Sequence, residues 1–337
     1  MNPEIAVYEA MFKEGLKRCF AEESPTDMRD WLLAEVTRLG GGGEDEARMT
    51  FAESLDFTDA LLAQFQHDAG IPISERKILT WPWASWNAQI DCLEPGMLAL
   101  LAAPEGTGKT IYAESIIEHW AQHKHKTVFV HYELNRKLMM LRRLSRYTSI
   151  EARAIKEWQI LPEQQARVRQ VRPLLESWDG SITYLHTPGW TMERTVAELR
   201  KLHAEGLCDV VVLDYLEKTA ASKRQLQMFG TNGYMREADN VEQLKNFAES
   251  TELPVLMIAQ MNKAGKATSF KEMDRTDIRG AGEKSEKSNL VVMIRRERED
   301  GIDSNVVDLL IEKQNMGPTG TLKQYMRPEY FQVADIG

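Results

Sequence analysis

The chain has 337 residues, with 43% apolar and 28% charged side chains and a formal net charge of −9. This length can hold one large α/β domain with a smaller appendage, and the composition is that of an ordinary globular protein. The longest apolar run, residues 97–103, is too short to cross a bilayer, which argues against a transmembrane helix.

The first residues and the cysteines favour a cytoplasmic location. The N-terminus lacks a basic stretch followed by an apolar core, so we expect no signal peptide and no membrane partner. Cys19, Cys92 and Cys208 are widely spaced and form no disulfide or metal-binding pattern. We therefore expect a protein of a reducing compartment.

The negative charge is concentrated near the N-terminus. Residues 1–80 carry 16 acidic and 8 basic side chains, a balance of −8, and the remaining residues carry 35 and 34, a balance of −1. Nucleic acids attract Lys and Arg, so the overall charge argues against a nucleic-acid partner. The distribution weakens that argument, because residues 81–337 can still present local basic segments.

Residues 1–77 are predicted to form a small helical region without a catalytic signature. Apolar side chains recur at helical spacing at Ile5, Tyr8, Phe12, Leu16 and Phe20. A glycine run at residues 40–43 predicts a flexible joint. We interpret the region as a collar that packs on the rest of the chain; the alternative is an arm that docks on a neighbouring subunit.

Residues 78–337 are predicted to form an α/β domain with a mostly parallel central sheet. The predicted strands cover residues 97–102, 127–132, 182–185, 210–213, 255–258, 290–294 and 306–311. Several are continuously apolar, as expected of strands that are buried on both faces. Helical stretches separate most of them, and this alternation favours parallel pairing.

A glycine-rich motif follows the first of these strands and precedes a helix predicted over residues 111–122. Its residues are Ala103, Pro104, Glu105, Gly106, Thr107, Gly108, Lys109 and Thr110. This context is that of a phosphate loop, in which backbone N–H groups and a helix N-terminus bind the phosphates of ATP. Lys109 would neutralise those phosphates, and the Thr110 hydroxyl would help to hold Mg²⁺. The usual first glycine of the motif is Ala103 here.

Two carboxylates follow predicted strands. Asp214 ends an apolar run, residues 209–214, and would hold Mg²⁺ through water. Glu133 follows the second strand and would orient or deprotonate the attacking water. Both would lie at the carboxyl edge of a parallel sheet, where ligands bind. The alternative for Glu133 is a surface glutamate at the end of a strand.

Four segments occur in the order found in DnaB-type replicative helicases. Residues 103–110 resemble the phosphate loop of that family, 131–135 its Ser-Leu-Glu-Met segment, 213–216 its Asp-Tyr-Leu segment and 258–263 its Ser-Gln-Leu-Asn-Arg segment. The resemblance covers residues 78–337. It implies a RecA-like core with Glu133 as the catalytic glutamate, and a hexameric ring that uses ATP to pull single-stranded DNA through its channel.

Further roles follow from the same resemblance. Gln260 would sense the γ-phosphate and couple the nucleotide state to the DNA segments; the alternative is a polar residue that caps an apolar strand. Lys313 would reach the γ-phosphate of a neighbouring subunit. Primase, a polymerase or a helicase loader would be further partners. Residues 313–320 resemble the family's Lys-Gln-Arg-Asn-Gly-Pro-Thr-Gly, but Asn315 stands where the family has its arginine finger. Either another residue such as Arg327 replaces it, or hydrolysis is slow or depends on a partner.

The chain also departs from the bacterial members at its N-terminus. From the resemblance we expect no counterpart of the large N-terminal domain that binds primase in those members. The short chain resembles a helicase of a phage or another mobile element.

Two segments are predicted to face DNA in the channel. Residues 218–236 contain four basic and no acidic side chains, and residues 263–287 contain seven basic and five acidic ones. The candidate DNA-binding residues are Lys223, Arg224, Arg236, Lys263, Lys266 and Arg279. Their phosphate contacts would be independent of sequence, and Phe229 or Tyr234 would stack on a base. The alternative for both segments is a solvated loop.

Two other groups of residues are given structural roles. Arg142, Arg143 and Arg146 are interpreted as a solvated or subunit-facing helix surface, with a DNA site as the alternative. Trp81, Trp83 and Trp86 are expected to anchor the N-terminal region.

Two other functions stay open from the sequence. One is a RecA-like ATPase that acts as a regulatory or loader module without unwinding DNA. The other is a recombinase that forms filaments on DNA.

Overall fold

The computed structural model describes residues 78–132, 136–261, 281–299 and 302–336. Nearer the N-terminus it describes residues 14, 58, 61–63, 65–67 and 70. The chain divides into two compact units, Met1–Arg76 and Lys77–Gly337. In the first unit the described positions are helical apart from a turn at Gly70. The role of this unit as a collar or an arm stays a prediction.

The second unit contains alternating helices and strands. Its described helices are Ala84–Gln89 (α1), Lys109–Gln122 (α2), Arg136–Thr148 (α3), Ala152–Glu157 (α4), Pro162–Glu176 (α5), Met192–Ala204 (α6), Lys223–Phe229 (α7), Gly233–Thr251 (α8) and Ala281–Lys287 (α9). Its described strands are Leu98–Ala103 (β1), Thr127–His131 (β2), Ile182–His186 (β3), Val210–Asp214 (β4), Val255–Gln260 (β5), Leu290–Glu299 (β6), Ile302–Lys313 (β7), Gly320–Arg327 (β8) and Gln332–Asp335 (β9). In this part of the chain no helix is long and apolar enough to cross a membrane.

The strands form one sheet in the order β3–β2–β4–β5–β1–β6–β7–β8–β9. The six strands from β3 to β6 pair in parallel, and β6, β7, β8 and β9 pair antiparallel. This arrangement confirms the predicted α/β class with a mostly parallel sheet. The parallel strands β1, β2 and β4 are buried along their whole length, which explains their continuous apolar sequences.

Strands β6 and β7 were predicted, but their antiparallel pairing and the strands β8 and β9 were not. In β8 the side chains of Leu322, Gln324 and Met326 are buried while their neighbours are more exposed. One face of β8 therefore contacts solvent, and β8 and β9 lack the apolar run by which the other strands were identified. The alternation of Leu322 and Met326 with polar residues is the sequence signal from which β8 could have been predicted.

Helices cover both faces of the parallel strands. In β1, Ala99 and Leu101 belong to one apolar cluster and Leu98 and Leu100 to another. Helix α2 contributes to the first cluster and α8 to the second. The resulting three layers hold the ends of the central strands in fixed positions.

The three tryptophans lie within the core of the second unit. Trp81, Trp83 and Trp86 are buried beside Tyr112 and Trp120, with ring centroids of Trp83 and Tyr112 5.1 Å apart. The indole N–H of Trp83 donates to the Val333 carbonyl at 3.0 Å. They pack on α2 and β9 of this unit, and their predicted role in anchoring the N-terminal region stays a prediction.

The prediction for the arginines of α3 was wrong for Arg143 and Arg146, whose side chains are buried. Nε of Arg143 lies 2.8 Å from Oε1 of Glu118, and Nη1 of Arg146 lies 2.7 Å from the same oxygen. Burial alone would raise the pKa of Glu118, but Arg146 and Arg143 outweigh it and the pKa lies below its usual range. Arg146 also pairs with Glu114. These ion pairs join α3 to α2, the helix that begins at the glycine-rich motif.

Candidate functional site

The glycine-rich motif connects β1 to α2 at the carboxyl edge of the sheet. Gly106 and Gly108 have φ values of +81° and +103°, where residues with a side chain are strained. A Cβ atom on Gly108 would lie 2.7 Å from Cε of the buried Met326. Glycine at position 108 therefore lets the loop turn closely into the N-terminus of α2, where free N–H groups favour an anion.

The ammonium group of Lys109 lies against this loop. Its Nζ donates to the carbonyl oxygens of Ala103 and Pro104 at 3.0 and 3.1 Å. Ala103, Pro104 and Thr107 are buried, whereas Glu105 and Gly106 are exposed. The fold thus holds a positive charge beside an exposed glycine turn, as a phosphate-binding loop requires.

Thr110 and Asp214 come together across two elements. The Thr110 hydroxyl, in the first turn of α2, donates to Oδ2 of Asp214 at the end of β4, at a distance of 3.1 Å. Asp214 is 8% exposed. Hydroxyl and carboxylate oxygens are ligands that Mg²⁺ accepts, and Mg²⁺ with a nucleotide usually takes only one or two protein carboxylates. This donor set fits the predicted metal, and the described residues contain no cluster of three acidic, His or Cys side chains suited to a metal cage.

Gln260 lies beside the start of the phosphate loop. It ends β5, and the register of the sheet places it opposite Ala103 of β1. Its backbone N–H donates to Oε1 of Glu217 at 3.2 Å. Lys109, Thr110, Asp214 and Gln260 are thus all positioned at the same edge of the sheet.

Glu133 lies outside the described residues, so its predicted role is untested. His131, two residues earlier, ends β2 and lies opposite Asp214 of β4. The His131 ring is buried and stacks on His186 with centroids 4.9 Å apart. Burial, together with His186, lowers the pKa of His131 to about 4. An uncharged imidazole therefore ends the strand that leads to Glu133.

Lys313 lies at the amino edge of the sheet, away from its own phosphate loop. It pairs with Val291 of β6, which lies opposite Leu100 in the first half of β1. Its Nζ donates to the carbonyl of Glu286 in α9 at 2.9 Å. Asn315 follows in the exposed turn between β7 and β8.

Arg327 lies at the opposite edge from Asn315. It ends β8, directly after the Met326 side chain that packs against Gly108. Arg327 is therefore on the side of the phosphate loop of its own chain, and it does not share the position of Asn315.

The first predicted DNA segment is largely helical, in contrast to the loop that was expected. Lys223 begins α7 and is exposed, and Arg236 lies in the first turn of α8. Arg224 is ion-paired with Asp239 and lies 3.3 Å from Glu193. These pairs leave Lys223 as the more accessible cation of α7.

The second predicted DNA segment is described only in its last part. Lys263, Lys266 and Arg279 lie outside the described residues. Lys284 was counted among the basic side chains of this segment, but its side chain is 1% exposed and ion-paired. It is therefore no surface cation.

Comparison with known proteins agrees with this geometry. Residues 83–335 match the family described as DnaB-like helicase C terminal domain. Replicative DNA helicase DnaB of Geobacillus stearothermophilus is 24% identical over 243 residues, which cover 71% of this chain and 52% of that protein. Replicative DNA helicase DnaC of Bacillus subtilis (strain 168) is 23% identical over 244 residues, 71% of this chain and 52% of that protein. The chain thus spans about half the length of these relatives.

Solved structures share the fold. A structure described as the ATPase domain of G40P superposes with a TM-score of 0.70 at 17% identity, covering 83% of this chain and 98% of that one. A structure of a DnaB-like replicative helicase and its interactions with primase has a TM-score of 0.70 at 16% identity, covering 99% of this chain and 77% of that one. At these identities the likeness concerns the RecA-like architecture. With three quarters of its length matched, the chain belongs to the DnaB-like helicase C terminal domain family.

Proposed function

We propose that the chain is an ATP-driven motor that moves along single-stranded DNA and unwinds duplex DNA during replication. The observation that carries the proposal is the meeting of Thr110 and Asp214 beside the phosphate loop that holds Lys109. Membership of a helicase family and similarity to replicative helicases support it. ATP with Mg²⁺ is the proposed cofactor.

The phosphate loop would bind the triphosphate of ATP. Backbone N–H groups around Gly106 and Gly108 and the N-terminus of α2 would bind the phosphate oxygens. Lys109 would exchange its bonds to the loop carbonyls for bonds to phosphate, because an anion is the stronger acceptor for an ammonium group. Thr110 and Asp214 would hold Mg²⁺, which neutralises charge on the phosphates.

Glu133 and Gln260 would act on the γ-phosphate side of the site. Glu133 would accept a proton from the attacking water, since it follows the strand next to that of Asp214. Gln260 would detect the γ-phosphate from the end of β5. Both side chains would extend from the carboxyl edge, where ligands of parallel sheets bind.

A ring of identical subunits, hexameric by the family resemblance, would complete the site. Lys313 lies at the amino edge of the sheet, so it would serve the nucleotide of a neighbouring copy. Contact between the amino edge of one copy and the carboxyl edge of the next is a head-to-tail interface, which closes into a ring or continues as a filament. Primase, a polymerase or a loader would bind such an assembly.

DNA would pass along α7, the start of α8 and the segment after β5. Lys223, Arg236, Lys263, Lys266 and Arg279 would contact phosphates, and Arg224 would do so only on leaving its ion pairs. Exposed Tyr234 would stack on a base. Such contacts do not depend on sequence and suit a translocating motor.

The test is ATP hydrolysis by the purified chain with and without single-stranded DNA. We expect stimulation by DNA, and a loss of roughly 100-fold or more in Lys109→Ala because one charged group on the phosphates is removed. The matched control is Lys201→Ala, which changes a lysine on the surface of α6. Hydrolysis that is equal with and without DNA, together with no unwinding, would rule out this function.

One observation favours a second candidate, a RecA-like ATPase that serves as a regulatory, loader or recombinase-type DNA-binding module without unwinding. Asn315 stands at the exposed turn where an arginine finger is expected. Electron microscopy with an ATP analogue and single-stranded DNA separates the candidates. Closed rings support the motor, open filaments a recombinase, and dispersed single subunits a regulatory module.

A further inference from the structure

A buried ionic cluster lies outside the nucleotide site. It consists of Lys284, Glu217 and Glu237: Nζ of Lys284 lies 2.6 Å from Oε1 of Glu217 and 3.1 Å from Oε2 of Glu237. The side chains of Lys284 and Glu217 are 1% and 5% exposed. A buried charge is strongly disfavoured without its partner, so these side chains hold one another in place.

The cluster joins elements that are far apart in the sequence. Glu217 lies in a 3₁₀ turn, Leu216–Lys218, three residues after Asp214. Glu237 lies on α8 next to Arg236 of the first predicted DNA segment. Lys284 lies on α9, within the second predicted DNA segment. Both DNA segments therefore meet at the chain that leaves the metal-binding strand.

The same cluster contacts the predicted γ-phosphate sensor. Oε1 of Glu217 accepts from Nζ of Lys284 at 2.6 Å and from the backbone N–H of Gln260 at 3.2 Å. Gln260 in turn lies opposite Ala103, at the start of the phosphate loop. One carboxylate oxygen thus links the end of β5 to α9.

We propose that Glu217 is a positioning residue for Gln260, and that the buried ionic cluster couples the nucleotide site to both predicted DNA segments. The inference rests on the proposed function. A shift of α8 or α9 on DNA binding cannot part Lys284 from Glu217 without leaving a buried charge unpaired. The shift therefore moves Glu217 and, through it, the backbone of Gln260. Such coupling acts equally in the other direction, from nucleotide to DNA affinity.

Three variants of the full chain test this coupling. Lys284→Met removes the ammonium group at similar length, and Glu217→Gln keeps an acceptor for the Gln260 N–H. The double variant Glu217→Gln/Lys284→Met removes both charges of the main pair. The matched control is Lys287→Met: Nζ of Lys287 lies 2.6 Å from Oε2 of Glu242 and also joins α9 to α8, but its side chain is 38% exposed.

The main readout is the ratio of ATP hydrolysis rates with and without saturating oligo-deoxythymidine. We expect Lys284→Met to lower this ratio by roughly 2- to 30-fold, the range for residues that carry coupling, and to lower the melting temperature. The double variant should recover the melting temperature, because both charges of the Glu217–Lys284 pair are removed and neither stays buried without its partner. Its ratio of hydrolysis rates with and without DNA should stay low. Lys287→Met should leave both the ratio of hydrolysis rates and the melting temperature at their wild-type values.

Three other results would contradict the coupling proposed for the buried ionic cluster. A double variant that regains DNA stimulation together with its stability would show that the cluster only stabilises the fold. An equal loss of stimulation in Lys287→Met would show that any ion pair between α8 and α9 has this effect. A wild-type chain that hydrolyses ATP without any response to DNA would refute the proposed function first, and the coupling with it. If Lys284→Met does not fold, the double variant still decides the question.

Discussion

The Thr110 hydroxyl lies 3.1 Å from Oδ2 of Asp214, although the two residues are 104 positions apart in the sequence. One begins α2 and the other ends β4, so their meeting depends on how the helix packs on the sheet. Mg²⁺ held by the Thr110 hydroxyl would therefore lie close enough to Asp214 for the carboxylate to hold it through a bound water. This pair is the basis for the first prediction.

Thr110→Ala and Asp214→Asn should each weaken the response of ATP hydrolysis to Mg²⁺. We expect the Mg²⁺ concentration for half-maximal activity to rise roughly 10- to 100-fold, the usual effect of losing a group that holds a metal or its bound water. Titration of activity with Mg²⁺ at fixed ATP measures this. Thr110→Ser keeps the hydroxyl and should behave like the wild type. Equal behaviour of Thr110→Ser and Thr110→Ala would contradict a role for the hydroxyl.

Gly108→Ala should destabilise the phosphate loop more than Gly106→Ala. Both positions have positive φ, which costs a residue with a side chain about 1–2 kcal/mol. At Gly108 the new methyl group also meets the end of the Met326 side chain, which must change its rotamer at a cost of about 0.5–1.5 kcal/mol, whereas a Cβ on Gly106 has no atom within 4 Å. Denaturant unfolding and binding of a fluorescent ATP analogue measure the two effects. Met326→Leu should partly rescue Gly108→Ala; no rescue would mean that backbone strain alone decides the loss.

Arg146→Met should lower the free energy of unfolding by up to about 3–5 kcal/mol, because Glu114 loses the guanidinium that lies nearest to it and Glu118 keeps only Arg143. The matched control is Arg153→Ala on α4, which breaks a pair with Glu157 at 3.0 Å in which Arg153 is 83% exposed. The control should lower the free energy of unfolding by less than about 1 kcal/mol. Chemical denaturation followed by circular dichroism compares them. Similar losses in both variants would show that the ion pairs of α3 are not desolvated.

Acid should destabilise the second unit through two histidines whose pKa values are lowered in the folded chain. Burial lowers the pKa of both His131 and His119 to about 4, from a usual value of about 6.5. Below about pH 6.5 these histidines are protonated in the unfolded chain but stay neutral in the folded chain. The stabilisation present at neutral pH is therefore lost as pH falls towards 4. For His131 the full effect is at most about 3 kcal/mol. Thermal unfolding of His131→Asn between about pH 7.5 and 4.5 should show a shallower pH dependence than the wild type, and an unchanged slope would refute the assignment.

The class of fold and the phosphate site could be predicted from local signals in the chain. The two glycines between an apolar strand and a helix allow few arrangements, because positive φ angles and a free helix N-terminus are local properties. The strand ending in Asp214 was equally evident, since a strand buried on both faces must be apolar throughout. These signals predict that Lys109, Thr110 and Asp214 lie at one edge of the sheet without any knowledge of their neighbours.

The burial of charged residues, in contrast, became evident only from the folded chain. Arg146 and Lys284 read in the sequence like ordinary surface cations, because their own helices give no sign of what lies opposite. Glu118 and Glu217 lie opposite them in the folded chain, far away in the sequence, and supply the opposite charge that makes burial possible. The antiparallel strands β8 and β9 were missed for a related reason. Such strands are stabilised mainly by pairing with their neighbours, and that pairing exists only once β6 and β7 are in place.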